Sequence, residues 1–72
     1  SMDKLTQQQR AVLDFVKLYA KKNGFPPTRT EISTGFGWAS ANAAQQHLMA
    51  IARKGYIRLL AKGQSRGIAI LK

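Results

Sequence analysis

Three carboxamides, Asn42, Gln45 and Gln46, lie close together in the chain, and Met49 and Arg53 follow them at helical spacing. A carboxamide offers an acceptor and a pair of donors, a combination that matches the N6/N7 edge of adenine in the major groove of duplex DNA. At a period of 3.6 residues these five side chains share one side of a helix, and no Asp or Glu is among them. Small Ala41 and Ala43 beside that side would let the backbone approach a partner closely. The other side gathers Ala44, Leu48 and Ile51, with His47 at its flank, and suits packing onto other helices. One Asn or Gln alone is an ordinary solvated residue. The nucleic-acid reading rests on an amide face that occurs on a third helix, after a tight turn, in a basic domain.

Other chemistries find little to work with. His47 is the single histidine and there is no cysteine, so no metal-ligand set can be assembled and His47 reads as a residue at the edge of the core. Ser33, Ser40 and Ser65 lack a base and an orienting acid for nucleophilic catalysis. The three carboxylates, Asp3, Asp14 and Glu31, offer no acid/base pair in contrasting environments. Gly35-Phe36-Gly37 follows a helix rather than a strand and is not a phosphate loop. The expectation is a binding module, not an enzyme, with no metal or other cofactor. Phe15, Tyr19, Phe25, Phe36, Trp38 and Tyr56 could stack on single-stranded RNA, but they fall on apolar periodic positions or at element junctions and read as core.

With 72 residues, 12 Lys+Arg, 3 Asp+Glu and a net charge of +9, the chain is one small basic domain. Residues 32–72 carry six of the cations and no acid, which points to a polyanionic partner. No apolar run approaches the ~18–20 residues of a membrane span, and no signal-peptide pattern opens the sequence. Cytoplasmic residence is expected. Ser1 before Met2 resembles a cleavage scar, so residues 1–3 read as a tag remnant or disordered start and 4–72 as the folded domain.

The elements that must position the amide face are marked by their ends. Thr6-Gln7-Gln8-Gln9 is a capping-box pattern, and Val12, Phe15, Val16 and Tyr19 form the apolar stripe of the helix behind it, which Leu13 and Leu18 could widen. Asn23-Gly24 ends that helix. Phe25-Pro26-Pro27 is an extended bridge. Thr28 and Glu31 form a second capping box for a short helix that depends on Ile32 and Phe36 for packing. Ser40 caps a third helix running to about Lys54, closed by Gly55. Tyr56–Leu60 and Ile68–Leu71 are β-leaning runs joined by the turn chemistry of residues 62–67. The fold expected is mainly α with a small β-hairpin: a winged helix-turn-helix of three helices and a two-stranded antiparallel wing.

Leu5-Thr6, the run from Gly24 to Ile32, Ser40-Ala41-Asn42-Ala43-Ala44-Gln45-Gln46-His47-Leu48, Ala52-Arg53-Lys54-Gly55 and Ser65-Arg66-Gly67-Ile68 together resemble the DNA-binding domain of the LexA family of bacterial SOS-response repressors. The resemblance covers about residues 4–71. It implies a sequence-specific double-stranded DNA-binding repressor domain, with Ser40, Asn42, Ala43, Gln45 and Gln46 approaching base edges and Arg53, Lys54 and the wing near phosphate. Thr28 and Arg29, at the start of the second helix, belong to the same expected backbone-contacting set. Trp38 either fills the gap between the second and third helices or turns its indole N–H to a phosphate. Lys62, Gln64, Ser65 and Arg66 are either an exposed turn or a phosphate and minor-groove contact.

The sequence departs from the family's best-known members in carrying Gln45 and Gln46 in place of two glutamates, Ala41 in place of a proline and Ala39 in place of an arginine. Glutamate accepts from cytosine N4 whereas glutamine favours adenine, so the expected operator is related to the family's CTGT-type half-site without matching it. Family members continue into a second domain that dimerises and cuts its own chain. The sequence ending at Lys72 is expected to be either an excised DNA-binding half or a small phage- or plasmid-type regulator, with any homodimer on DNA formed mainly through a region outside it. The contrasting function class is a winged helix that binds protein, which would expose an apolar patch where this chain has amides.

Overall fold

The computed structural model describes residues 4–60 and 66–72. Three helices and a hairpin follow one another along the chain: α1 (Gln7–Asn23), α2 (Arg29–Phe36), α3 (Ala41–Arg53), β1 (Ile57–Leu59) and β2 (Ile68–Ile70). The strands pair antiparallel with Ile57 opposite Ile70, Arg58 opposite Ala69 and Leu59 opposite Ile68. This is the winged helix-turn-helix expected from the sequence.

The helix starts are set by short-range hydrogen bonds. Thr6 Oγ1 accepts from the Gln9 amide at 3.1 Å while Gln9 Oε1 accepts from the Thr6 amide at 3.0 Å. The same exchange joins Thr28 and Glu31 at 3.0 and 2.8 Å. Each box satisfies amides that a helix N-terminus leaves without partners. Ser40 caps α3 by accepting from the Asn42 amide at 3.0 Å. Gly37, at φ +74°, supplies the left-handed residue that stops α2 and lets the chain reverse into α3. Ser33, buried in that reversal, donates to the Ser40 carbonyl at 2.9 Å, and its own carbonyl accepts from the Trp38 amide at 2.8 Å. The turn between the two helices is thereby tied at both ends.

The core is built from Val12, Leu13 and Val16 of α1, Ile32 of α2, Ala44, Leu48 and Ile51 of α3, and Ile57 and Ile68 of the wing. The α1 stripe is therefore rotated from the one the periodicity suggests. Leu13 belongs to it, Phe15 and Tyr19 are half-buried at its edge, and Leu18 is 67% exposed on the opposite side. Six residues from Val12 carry Leu18 roughly 120° backward around a 3.6-residue helix, away from Leu13, so both leucines cannot share one face.

Phe15 instead opens a second layer of rings, half-buried except at Phe25, which is exposed. Centroid separations run 6.2 Å from Phe25 to Tyr19, 6.2 Å from Tyr19 to Phe15, 5.4 Å from Phe15 to Phe36, 4.8 Å from Phe36 to Trp38 and 4.8 Å from Trp38 to His47. This chain of contacts joins α1, α2, the turn and α3, all within ring-stacking range. It also explains Gly35, a weak helix former inside α2. A Cβ built there would lie 2.6 Å from Phe15 Cε2, so α2 approaches α1 through the space that a side chain would fill.

Candidate nucleic-acid interface

The core side of α3 fixes what its other side presents. With Ala44, Leu48 and Ile51 fully buried, Asn42, Gln46, Met49 and Arg53 are turned outward and exposed. Ala41 and the capping Ser40 are exposed at the helix start, and Ala43 and Gln45 are half-buried. The side-chain amides of Asn42 and Gln46 meet no partner among the described residues. Gln45 does: its Oε1 accepts from Arg29 Nε across the α2–α3 junction. His47 sits at the flank with Nδ1 2.9 Å from the Ala43 carbonyl and its ring against Trp38.

The residues expected at the DNA backbone divide by what holds them. The Thr28 hydroxyl is engaged as the α2 cap and the side chain is half-buried. Trp38 lies half-buried between Phe36 and His47, filling the gap between α2 and α3. Arg53 is exposed. Lys54 turns toward the N-terminus, where its ammonium donates to the Lys4 carbonyl at 3.0 Å and to Gln9 Oε1 at 2.8 Å. Lys62, Gln64 and Ser65 lie outside the described residues.

Arg66 opens the return arm of the wing, and its guanidinium is turned onto the rest of the domain. Nη1 and Nη2 engage Glu31 Oε1 and Oε2 at 2.8 and 3.1 Å, and Nη1 also donates to the Pro26 carbonyl at 2.9 Å. Its Cζ stands 4.5 Å from the centre of the Phe25 ring, within the range of a cation–π contact. A planar fork on a carboxylate is the strong form of this ion pair. The wing is thus pinned to the first turn of α2. Sequence reading did not find this pairing, although one signal was available: Glu31 is the last acid in the chain, and every cation of residues 32–72 lies beyond it.

The Arg66 hydrogen bond, reinforced by the Thr28 amide, holds the Glu31 carboxyl down at about 2 instead of its ordinary 4.5. Glu31 in turn pushes the Arg66 guanidinium up. Between these two values the unfolded chain binds the proton more tightly than the folded one, so the contribution is complete above about pH 4.5 and fades as pH falls toward 2. Denaturant midpoints measured across that interval should decline for the unmodified chain. In Glu31→Gln the part of that decline due to this carboxyl disappears.

Comparison with known proteins joins this geometry to a family. A model of the LexA DNA binding domain matches residues 2–67. The chain belongs to the LexA DNA-binding domain family. It is 54% identical over 67 residues to the LexA repressor of Actinobacillus pleuropneumoniae serotype 5b, a match covering 93% of this chain and 31% of that protein. It is 51% identical over 70 residues to the LexA repressor of Paraburkholderia phytofirmans, covering 97% and 32%. With the LexA repressor of Colwellia psychrerythraea it shares 50% over 68 residues, covering 94% and 32%. The chain spans about a third of the length of these curated relatives. Within this LexA-type domain, α2 and α3 are the helix-turn-helix, the amide face lies on its second helix, and the hairpin is the wing. Among the described residues no helix is long and apolar enough to cross a membrane, and no group of three or more His, Cys, Asp or Glu could hold a metal ion.

Proposed function

We propose that this chain recognises an operator half-site in double-stranded DNA and serves as the DNA-binding part of a bacterial transcriptional repressor of the damage-responsive type. α3 lies in the major groove with Ser40, Asn42, Ala43, Gln45 and Gln46 toward base edges. Thr28 and Arg29 at the start of α2, Arg53 and the wing residues Lys62 and Ser65 stand near phosphate. Lys54 and Arg66 reach phosphate only with the donors that their internal contacts leave over. The observation that carries the reading is the exposed, acid-free amide face of α3 in a domain of charge +9. Polar donors and acceptors at that position suit base readout, and cations beside it suit the backbone.

A single domain meets one half-site. Two such domains linked in a dimer would bind with an effective concentration that raises affinity by a factor of ~10²–10⁴. The isolated chain is therefore a weak binder, and the dimeric protein in the bacterial cytoplasm is the working repressor.

Fluorescence anisotropy with a duplex enriched by repeated selection tests the reading. Asn42→Ala should weaken binding to the enriched duplex by roughly 5- to 100-fold while binding to random duplex hardly changes, since it removes a base contact and leaves the phosphate contacts in place. No retention of any duplex at low salt would overturn the proposal and favour a protein-binding winged helix.

A further inference from the structure

Of the large apolar side chains left exposed among the described residues, Met49 is the one that stands on α3. It is 41% exposed, whereas Leu48 before it is fully buried. At 3.6 residues per turn, Asn42, Gln46, Met49 and Arg53 fall within about 60° of arc, so Met49 lies inside the amide face and not at its margin. Its companions there are polar or cationic, which leaves no contiguous apolar patch of the kind a protein partner needs. Within the base-reading role proposed above, on which this inference rests, Met49 faces base edges. The major groove offers one apolar group, the C5-methyl of thymine. Adenine, guanine and cytosine present donors and acceptors there, which a thioether answers only weakly.

We propose that Met49 is a further specificity-determining residue, one that selects thymine by covering its methyl group about one base-pair step beyond the base met by Gln46. A rise of 1.5 Å per residue sets the two Cα atoms roughly 4.5 Å apart along the helix axis, against about 3.4 Å between successive base pairs. The methionine side chain is unbranched and turns about three bonds, so its end methyl can be brought onto a neighbouring group. The contact removes apolar surface of both partners from water, and the exposure of Met49 in the free domain is what leaves that gain to be made on binding. Asn42 and Gln46 then read by hydrogen bonds and Met49 by apolar contact, on the same side of one helix.

Deoxyuridine in place of thymine deletes the methyl and leaves the hydrogen-bonding edge of the base intact, so it isolates this contact. In a duplex enriched by repeated selection, each thymine is replaced singly, and fluorescence anisotropy follows binding of the unmodified chain, Met49→Ala and Met49→Gln. For the unmodified chain, one such replacement should weaken binding by roughly three- to tenfold, the scale of burying one or two methyl groups. In both variants the penalty at that thymine should vanish, because the partner of the methyl is gone; Gln keeps the length of the side chain but ends in a polar group. Both variants should still bind random duplex and keep the unfolding midpoint, since Met49 is no part of the core. A variant that fails to fold would place Met49 among the core residues and overturn the inference. If no replacement weakens the unmodified chain, or if every penalty persists in either variant, Met49 reads no methyl; the inference is overturned and the base-reading function, tested by Asn42→Ala, stands. If the unmodified chain enriches no sequence at all, the base-reading function itself fails and this inference with it.

Discussion

Leu48→Ala is expected to lower the thermal midpoint by about 10 °C or more, while Met49→Ala, its immediate neighbour, leaves it within a few degrees. Leu48 is fully buried at the centre of α3, and Met49 is 41% exposed on the opposite side. Truncating a buried leucine removes apolar contact and leaves a cavity, at a cost of about 2–5 kcal/mol. A chain of 72 residues has a total stability of roughly 4–11 kcal/mol, so the loss is a large fraction of the whole. The core is small and its members come from every element, which leaves few neighbours able to close the space. An exposed side chain that meets no partner carries only about 0.5 kcal/mol. Denaturant or thermal unfolding of the two variants therefore reports the rotation of α3 about its axis. If Met49→Ala were the damaging change, the amide face would be the buried face and the DNA-reading surface would be lost.

That rotation was legible before any coordinates, because Ala44, Leu48 and Ile51 leave one consistent apolar side. The caps were legible too: Thr6 with Gln9, Thr28 with Glu31, and Ser40 are recognised by local chemistry, and local hydrogen bonds form them. The register of α1 was less so. It carries apolar residues on more than one side, and which of them is buried is decided by the neighbours. Leu13 is buried in the core cluster, whereas Phe15 is drawn into the ring contacts with Phe36. Gly35 reads as a defect in sequence and proves to be the place where α2 and α1 come together over the Phe15 ring.

The candidate site divides along the same line. Residue type and helical spacing were enough to find the amide face and its lack of acids. They could not say which cations are already engaged, because a long flexible cation takes its partner from distant parts of the chain. Lys54 finds Gln9 and Lys4, 45 and 50 residues away, and Arg66 finds Glu31 across 35. Nor could they show that Gln45, alone of the three carboxamides, meets another side chain, since Arg29 lies 16 residues before it on another helix. Composition gives the charge of the domain, and tertiary contact decides where that charge is available.

The availability of charge has its own measurable result. A protein neutralising Z phosphates loses affinity with a slope of about −0.9Z in log K against log salt. With ~4–6 phosphates covered, binding of this chain to duplex should fall by about 10²–10³-fold between roughly 50 and 200 mM salt. A flat response would remove the electrostatic basis of the proposed function. The slope also separates the cations individually. Arg53 is exposed on the outer side of α3, so Arg53→Ala should reduce the slope by about one. Arg66 is neutralised by Glu31 in the free domain, and a cation with a carboxylate on its fork attracts no net phosphate charge. Arg66→Ala should then leave the slope nearly unchanged while lowering stability, through release of the wing from α2. A full unit lost in Arg66→Ala would mean that the Glu31 pair opens on DNA, and that the wing lets go of α2 in order to grip the backbone.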